Sequence, residues 1–97
     1  MKSVVWSKAS LDSLETINDF ICQNSSQNAE MVVDTLLNLG DDLAKFPERN
    51  PREPLFNDDT IRYFPKWNFK IVYRIEENRI LIINIYFKST QIDAVPT

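Results

Sequence analysis

The first half of the chain carries apolar residues at helical spacing. Leu11, Leu14, Ile17 and Ile21 recur every three or four residues, and Phe20 widens the stripe. A stripe of this period is typical of an amphipathic helix that packs one face against a core. We therefore predict a first helix over this segment, and it ends at the polar run of residues 24–26.

A second stripe of the same period follows and ends before Pro47. Its members are Ala29, Val32, Val33, Leu36, Leu37, Gly40, Leu43 and Ala44. Proline cannot continue a helix and disfavours helical backbone at the residue before it, so the second helix ends here. The serines suited to cap the helices are Ser7 or Ser10 for the first and Ser25 or Ser26 for the second. With so short a connection, the two helices are predicted to form an antiparallel hairpin.

The remaining segments are rich in β-branched and aromatic residues, which predict strands. The predicted strands are Val4–Trp6, Thr60–Phe64, Trp67–Ile75 and Arg79–Lys88. Residues 47–59 contain three prolines and no periodicity, so we interpret them as a connecting loop within the domain. The order β-α-α-β-β-β predicts an α+β fold in a single domain of residues 1–97. In this fold an antiparallel helix hairpin packs on one face of a mainly antiparallel sheet.

The links between the strands predict which side chains face the helices. A three-residue link at residues 76–78 places Ile75 opposite Arg79 and pairs odd positions with odd positions, which separates apolar from polar residues best. The predicted core face then carries Ile61, Tyr63, Trp67, Phe69, Ile71, Tyr73, Ile75, Leu81, Ile83, Ile85 and Phe87. The opposite face, called the outer face below, is predicted to carry Arg62, Lys70, Val72, Arg74, Ile80, Ile82, Asn84, Tyr86 and Lys88. Four cations among exposed aliphatic side chains favour a partner-binding surface over an ordinary solvated one.

The composition excludes several kinds of chemistry. The 97 residues include no histidine, one glycine and one cysteine. The chain therefore has no imidazole for a Ser-His triad or a zinc site, and too few glycines for a glycine-rich phosphate loop. A single cysteine also excludes an intramolecular disulfide. We expect neither a metal site nor a cofactor.

The charge distribution is uneven along the chain. Residues 1–59 contain 5 Lys/Arg and 11 Asp/Glu, whereas residues 60–97 contain 6 and 3, for a net charge of −3. An acidic protein has little non-specific affinity for nucleic acid. No apolar run approaches the roughly 18 residues that cross a bilayer, and the N-terminus turns polar too early for a signal peptide. We expect a cytoplasmic protein with no membrane partner.

Several segments, taken in order, resemble the RelE/ParE family of toxins from bacterial type II toxin–antitoxin systems. They are Val5-Trp6-Ser7, Phe46-Pro47, Ile61-Arg62-Tyr63, the run Phe69-Lys70-Ile71-Val72-Tyr73-Arg74-Ile75 and the last strand from Ile80 to Phe87. The resemblance extends from Val4 to about Ser89. It implies a sheet in which the first strand lies beside the last one.

The resemblance implies two alternative activities. RelE-type members are ribosome-dependent endoribonucleases that cut messenger RNA with basic and tyrosine side chains of the open sheet face. For this chain the implied catalytic residues are Lys70, Arg62, Tyr86 and Lys88. Many relatives carry histidine near the end of the last strand, where this chain has Phe87. General acid–base catalysis would then require a strongly shifted pKa of a lysine, tyrosine or carboxyl group.

ParE-type members bind a cellular target, DNA gyrase, and need no catalytic residue. This alternative agrees better with the acidic charge and the missing histidine, so we favour it over the nuclease. A third alternative is an inactive member that only binds its partner. In every case the resemblance implies a cognate antitoxin as the first partner. The residues expected to bind it are Arg62, Lys70, Val72, Arg74, Ile80, Ile82 and Asn84.

Overall fold

A computed structural model describes residues 2–87 of the chain. Two helices and four strands follow one another in the predicted order. The strands are β1 (Ser3–Trp6), β2 (Ile61–Lys66), β3 (Phe69–Ile75) and β4 (Arg79–Phe87), and the helices are α1 (Lys8–Cys22) and α2 (Ser26–Asp41). Short 3₁₀ turns follow α2 at Asp42–Ala44 and Pro47–Arg49. Lys88, one of the predicted site residues, lies outside the described residues.

Serine side chains start both helices. The Oγ atom of Ser7 accepts a hydrogen bond from the backbone N–H of Ser10 at 3.0 Å, and Ser25 accepts one from Asn28 at 3.1 Å. Each bond satisfies one of the N–H groups that a helix leaves unpaired at its start. The Ser7 hydroxyl also donates to the carbonyl of Ile83 at 2.8 Å, so the same side chain ties the start of α1 to β4.

The sheet has four strands in the order β1-β4-β3-β2. The β1 strand runs parallel to β4, which confirms that the first strand lies beside the last, and the other pairs are antiparallel. Both helices pack on one face of this mixed sheet, so the predicted α+β fold is confirmed. The buried cluster between the layers consists of Leu14, Ile17, Val32, Leu36, Leu43, Ala44, Phe69, Ile71, Tyr73, Ile80, Ile82 and Ile85.

The predicted register between β3 and β4 is wrong. Ile75 pairs with Ile80 and not with Arg79, because the link between the strands is the two-residue turn at residues 77–78. A β-bulge then shifts the register, so that Tyr73 faces Ile82 while Val72 faces Asn84. The bulge adds one residue to β4 and restores odd–odd pairing beyond it.

This shift exchanges the faces of the apolar residues at the start of β4. Ile80 and Ile82, predicted on the outer face, are fully buried against the helices. Leu81 and Ile83, predicted in the core, are only partly buried. A one-residue change of register moves every side chain to the other face, and the sequence pattern alone assumed one uniform register.

The register of β2 also differs from the prediction. Lys66 pairs with Phe69 across the two-residue turn at residues 67–68, which places Arg62 opposite Tyr73. Arg62 therefore lies on the helix-bearing face of the sheet, and Ile61 lies on the outer face. The prediction that Arg62 shares the outer face with Lys70 is therefore wrong, and Lys70 pairs with Pro65.

Gly40 lets α2 approach the sheet closely. A Cβ atom at this position would lie 2.7 Å from Cη2 of Trp6, closer still to Cζ2 of the same ring, and 2.9 Å from Cδ1 of Ile82. The indole is held in place by a hydrogen bond from its Nε1 to Asp41 at 3.1 Å. Only glycine fits between this ring and the core without movement.

Replacing Gly40 with alanine is expected to destabilise the fold. In an exposed helix this change stabilises by roughly 0.4–1 kcal/mol, but here overpacking against Trp6 is expected to cost about 1–3 kcal/mol. Urea unfolding measures the difference, and Asn38→Ala on the exposed side of α2 serves as the control. A higher unfolding midpoint for Gly40→Ala would contradict the close packing.

Candidate functional site

The connecting loop, residues 47–59, wraps around the free edge of β2. The N–H of Glu53 donates to the carbonyl of Ile61 at 3.0 Å, and the N–H of Tyr63 donates to the carbonyl of Pro51 at 3.1 Å. These bonds flank a β-bridge between Arg52 and Arg62. An unpaired strand edge is a template for association, and the loop covers part of this one.

Arg62 fastens the loop on the helix-bearing side of the sheet. Its Nε donates to the carbonyl of Asp59 at 3.1 Å, and its Nη1 donates to the carbonyls of Glu48 at 3.1 Å and Asn50 at 2.9 Å. The planar guanidinium with its several fixed donors suits this arrangement. Arg62 was predicted to face a partner or a phosphate, but its donors bind the chain's own backbone.

Tyr73 fastens the same loop from within the core. Its hydroxyl donates to the carbonyl of Pro47 at 2.7 Å and accepts from Nδ2 of Asn50 at 3.0 Å. Burial raises the pKa of Tyr73 above its ordinary value of 10.0 because the low-dielectric interior disfavours the phenolate. The ring of Tyr73 packs in the core between helices and sheet, and its hydroxyl binds the connecting loop. This one residue therefore contacts both layers and the loop.

Lys70 forms a buried ion pair on the outer face. Its Nζ atom lies 2.7 Å from Oε1 of Glu53, and the side chains are 10% and 0% exposed. The second carboxylate oxygen of Glu53 accepts from the N–H of Leu55 at 3.0 Å. Oε1 has no hydrogen-bond partner among residues 2–87 and forms the ion pair with Lys70. The ammonium also lies 4.7 Å from the centre of the Tyr63 ring, a cation–π contact. Lys70 is therefore sealed beneath the loop.

The predicted apolar part of the partner surface is not exposed. Ile80 and Ile82 are fully buried under the helices, because the two-residue turn at residues 77–78 sets the register at the start of β4. Val72 does lie on the outer face, opposite Tyr63 and Asn84, but it is also fully buried. None of the three is accessible to a partner in this structure.

The other predicted residues are partly accessible. Arg74 is half-buried, with its Nη1 3.8 Å from a carboxylate oxygen of Glu76. Asn84 accepts hydrogen bonds through its side-chain oxygen from the hydroxyl of Ser13 at 2.5 Å and from the N–H of Ile85 at 2.8 Å. Tyr86 faces Lys70 in the register and is 37% exposed.

The arrangement separates the residues that a nuclease would use together. Lys70 and Tyr86 are neighbours on the outer face, but Arg62 lies on the helix-bearing side. Lys70 is paired with Glu53 and almost fully buried, so its ammonium is not presented to a phosphate on the outer face in this structure. Among the described residues, no cluster of three or more carboxylate and cysteine side chains is suited to hold a metal ion.

Comparison with known proteins identifies the family. The model of the ParE toxin of type II toxin–antitoxin systems, parDE, matches residues 4–91. The chain belongs to the ParE toxin family. A solved structure titled "Chromosomal ParDE TA system from P. aeruginosa" shares the fold, with a TM-score of 0.74 and 19% sequence identity. The alignment covers 90% of this chain and 96% of that one. A comparison with curated protein sequences found no match.

Membership of this family makes the chain a type II toxin and implies an antitoxin partner. The resemblance to RelE and ParE toxins is thus confirmed, on the ParE side. Within residues 2–87, neither helix has the length and apolar character needed to span a membrane.

Sequence reasoning missed Glu53. It belongs to the connecting loop, which shows no periodicity, and nothing in the pattern places its carboxylate against β3. One signal was available: Lys70 lies within an apolar run of the strand, and a lysine buried in such a run needs an acidic partner.

Removing one member of the ion pair is expected to be more damaging than replacing both. Lys70→Met leaves the Glu53 carboxylate buried without a counter-charge and is expected to cost about 3–5 kcal/mol, whereas Lys70→Met with Glu53→Gln is expected to recover most of that loss. Urea unfolding of the wild type, both single variants and the double variant measures the coupling. Additive effects of the two substitutions would show that the pair is not buried as described.

Tyr73→Phe is expected to lower the stability of the toxin by about 1–2 kcal/mol, because the hydroxyl's two hydrogen bonds to the loop are lost. A raised pKa means that the folded state favours the neutral phenol. The stabilisation of the folded state by the Tyr73 hydroxyl is complete below the pKa of Tyr73 in the unfolded chain, about 10. It is lost as the pH rises through the higher pKa of Tyr73 in the folded protein. The stability difference between wild type and variant should therefore shrink above pH 10, and urea unfolding at pH 8 and pH 11 tests this. An unchanged or growing difference would contradict the raised pKa.

Proposed function

We propose that this toxin arrests bacterial growth by binding a cellular target, DNA gyrase, and that a cognate antitoxin neutralises it. The observation that carries the proposal is the sealed state of Lys70, the residue that a RelE-type nuclease would direct at phosphate. Its ammonium is paired with the buried carboxylate of Glu53, at 2.7 Å. A toxin that acts by binding does not need this cation to be free.

The charge of the protein supports the same proposal. The net charge is −3, and the helices expose six carboxylates against the single cation Lys8. Approach to ribosomal RNA would be opposed by electrostatic repulsion, whereas a protein target offers surfaces of either sign. Membership of the ParE family also favours a protein target over messenger RNA.

Induced expression in a bacterial host tests the proposal. We expect growth arrest with intact messenger RNA, a DNA-damage response and inhibition of purified gyrase in a supercoiling assay. Co-expression of the antitoxin should restore growth.

Two outcomes would contradict the proposal. Arrest with cut messenger RNA, abolished by Tyr86→Phe with Lys88→Ala, would establish a nuclease; this pair of changes leaves the Lys70–Glu53 pair intact. Normal growth at full expression of folded protein would indicate a member that only binds its antitoxin. Circular dichroism of the purified chain supplies the control for folding.

A further inference from the structure

A groove lies on the helix-bearing side of the sheet, where the end of α2 and the two 3₁₀ turns after it approach β2. We call it the Phe46 groove, and it encloses about 310 Å³. Its apolar lining consists of Leu39, Leu43 and Phe64, which belong to the core or pack against it, and of Phe46, which is 64% exposed. A concave apolar surface with an exposed aromatic ring beside it is typical of a site that takes a side chain of a partner.

Arg49 lies over the exposed ring at the rim of this groove. Its guanidinium carbon is 4.9 Å from the centre of the Phe46 ring, a cation–π contact. Arg49 is exposed and takes part in no ion pair within residues 2–87, whereas the donors of Arg62 bind loop carbonyls. A guanidinium that stacks on a ring and has no counter-charge is preorganised to bind a carboxylate through two parallel hydrogen bonds.

The turn that carries Phe46 and Arg49 is fastened to the sheet. The N–H of Arg49 donates to the carbonyl of Phe46 at 3.1 Å, which closes the second 3₁₀ turn. The carbonyl of Pro47 accepts from the Tyr73 hydroxyl, and Arg62 binds the carbonyls of the two residues that flank Arg49. Because these bonds already hold the backbone in place, a partner that binds here orders little further chain, and binding costs less conformational entropy.

The charges around the groove are mainly positive. Lys45 and Arg49 line it, and Asp42 is the one carboxylate among the described lining residues. Asp42 lies 3.6 Å from Lys45 in an exposed pair, which holds the two side chains together only weakly. The acidic side chain of Glu48, from the same turn as Arg49, lines a separate cavity. In a chain with a net charge of −3, this is a local positive site that is complementary to an acidic partner.

We propose that the Phe46 groove binds an acidic, apolar segment of the protein target of the toxin. In this arrangement an apolar side chain of the target enters between Leu39, Phe46 and Phe64. A neighbouring aspartate or glutamate of the target pairs with the guanidinium of Arg49. The inference rests on the proposed function, because it assigns a surface to the binding of gyrase. It places the contact residues in the turns after α2, outside the set that the family resemblance implied.

A second copy of the chain and a nucleic acid fit the groove less well. A two-fold dimer brings the same patch of both copies together, which would place Lys45 and Arg49 against their own equivalents. Like charges across an interface oppose association. A phosphate could also pair with Arg49, but the net charge of −3 opposes approach to a polyanion, and a phosphate backbone has no apolar side chain to fill the groove.

Inhibition of DNA supercoiling by purified gyrase, titrated with the purified full-length toxin, tests the inference. Arg49→Glu is expected to raise the half-inhibitory toxin concentration by about 30-fold or more, because it places a like charge against the target carboxylate. Phe46→Ala is expected to raise it by about 10-fold, because the ring that stacks on Arg49 and contacts the target is lost. Arg49→Lys keeps the charge but loses the planar fork, so its effect should be smaller than that of Arg49→Glu.

Two variants outside the groove are the matched controls. Lys8→Glu makes the same change of net charge as Arg49→Glu, at a side chain that is 88% exposed. Leu55→Ala truncates an exposed apolar side chain, as Phe46→Ala does. Each control should change the half-inhibitory concentration by less than about twofold. Urea unfolding of every variant separates lost binding from lost folding, and midpoints close to that of the wild type are expected because all the replaced side chains are exposed.

Three outcomes would overturn the inference. The first is wild-type inhibition by Arg49→Glu and Phe46→Ala; a loss of antitoxin affinity alone in these variants would assign the groove to the antitoxin. The second is weakened inhibition with wild-type affinity for gyrase in the absence of DNA, which would assign the groove to DNA. The third is growth arrest by the wild type without inhibition of gyrase, if Arg49→Glu arrests growth equally. If that variant loses the arrest, the gyrase proposal fails and the target-binding role of the groove stands.

Discussion

The buried ion pair between Glu53 and Lys70 is the interaction on which the functional interpretation depends. It holds the connecting loop against the outer face. It also buries the ammonium of Lys70, the cation that a nuclease would direct at phosphate. On the other side of β2, Arg62 binds three loop carbonyls, and Tyr73 adds two hydrogen bonds from the core. The loop is thus fastened on both sides of one strand edge. A segment without periodic sequence determines which residues of the sheet reach solvent.

The sequence predicted the elements of the fold better than the faces of its strands. Apolar residues at helical spacing and well-placed serines were sufficient for both helices, because these signals are local. The position of β1 beside β4 came from the family resemblance. The predicted register between β3 and β4 was wrong because it was uniform. A bulge at Ile83 allows Ile80 and Ile82 to lie in the core along with Ile85. The bulge has no clear sequence signal here, since the extra residue, Ile83, is an isoleucine like Ile82 before it.

The sequence indicated which residue types lie in the strands of the candidate site, but not which face of the sheet each one occupies. Of the cations predicted on the outer face, Arg62 lies on the other side of the sheet and Lys70 is covered. The position of Arg62 follows from the two-residue turn at residues 67–68, and the burial of Lys70 follows from its long-range contact with Glu53 of the connecting loop. The sequence pattern reveals neither. Phe20, Trp67 and Phe87 also fit the core pattern, and only the packed structure shows that these side chains are exposed. All three lie near the end of a helix or strand, where the apolar pattern continues but the covering layer does not.

Lysine labelling of the native toxin with an amine-reactive ester, read out by mass spectrometry, tests the sealed state of Lys70 most directly. The Lys8 and Lys45 side chains are 88% and 58% exposed and provide internal references. We expect Lys70 to stay unlabelled while these two react, and to become reactive once urea unfolds the chain. Labelling of Lys70 in the native protein at the rate of Lys45 would contradict a sealed outer face.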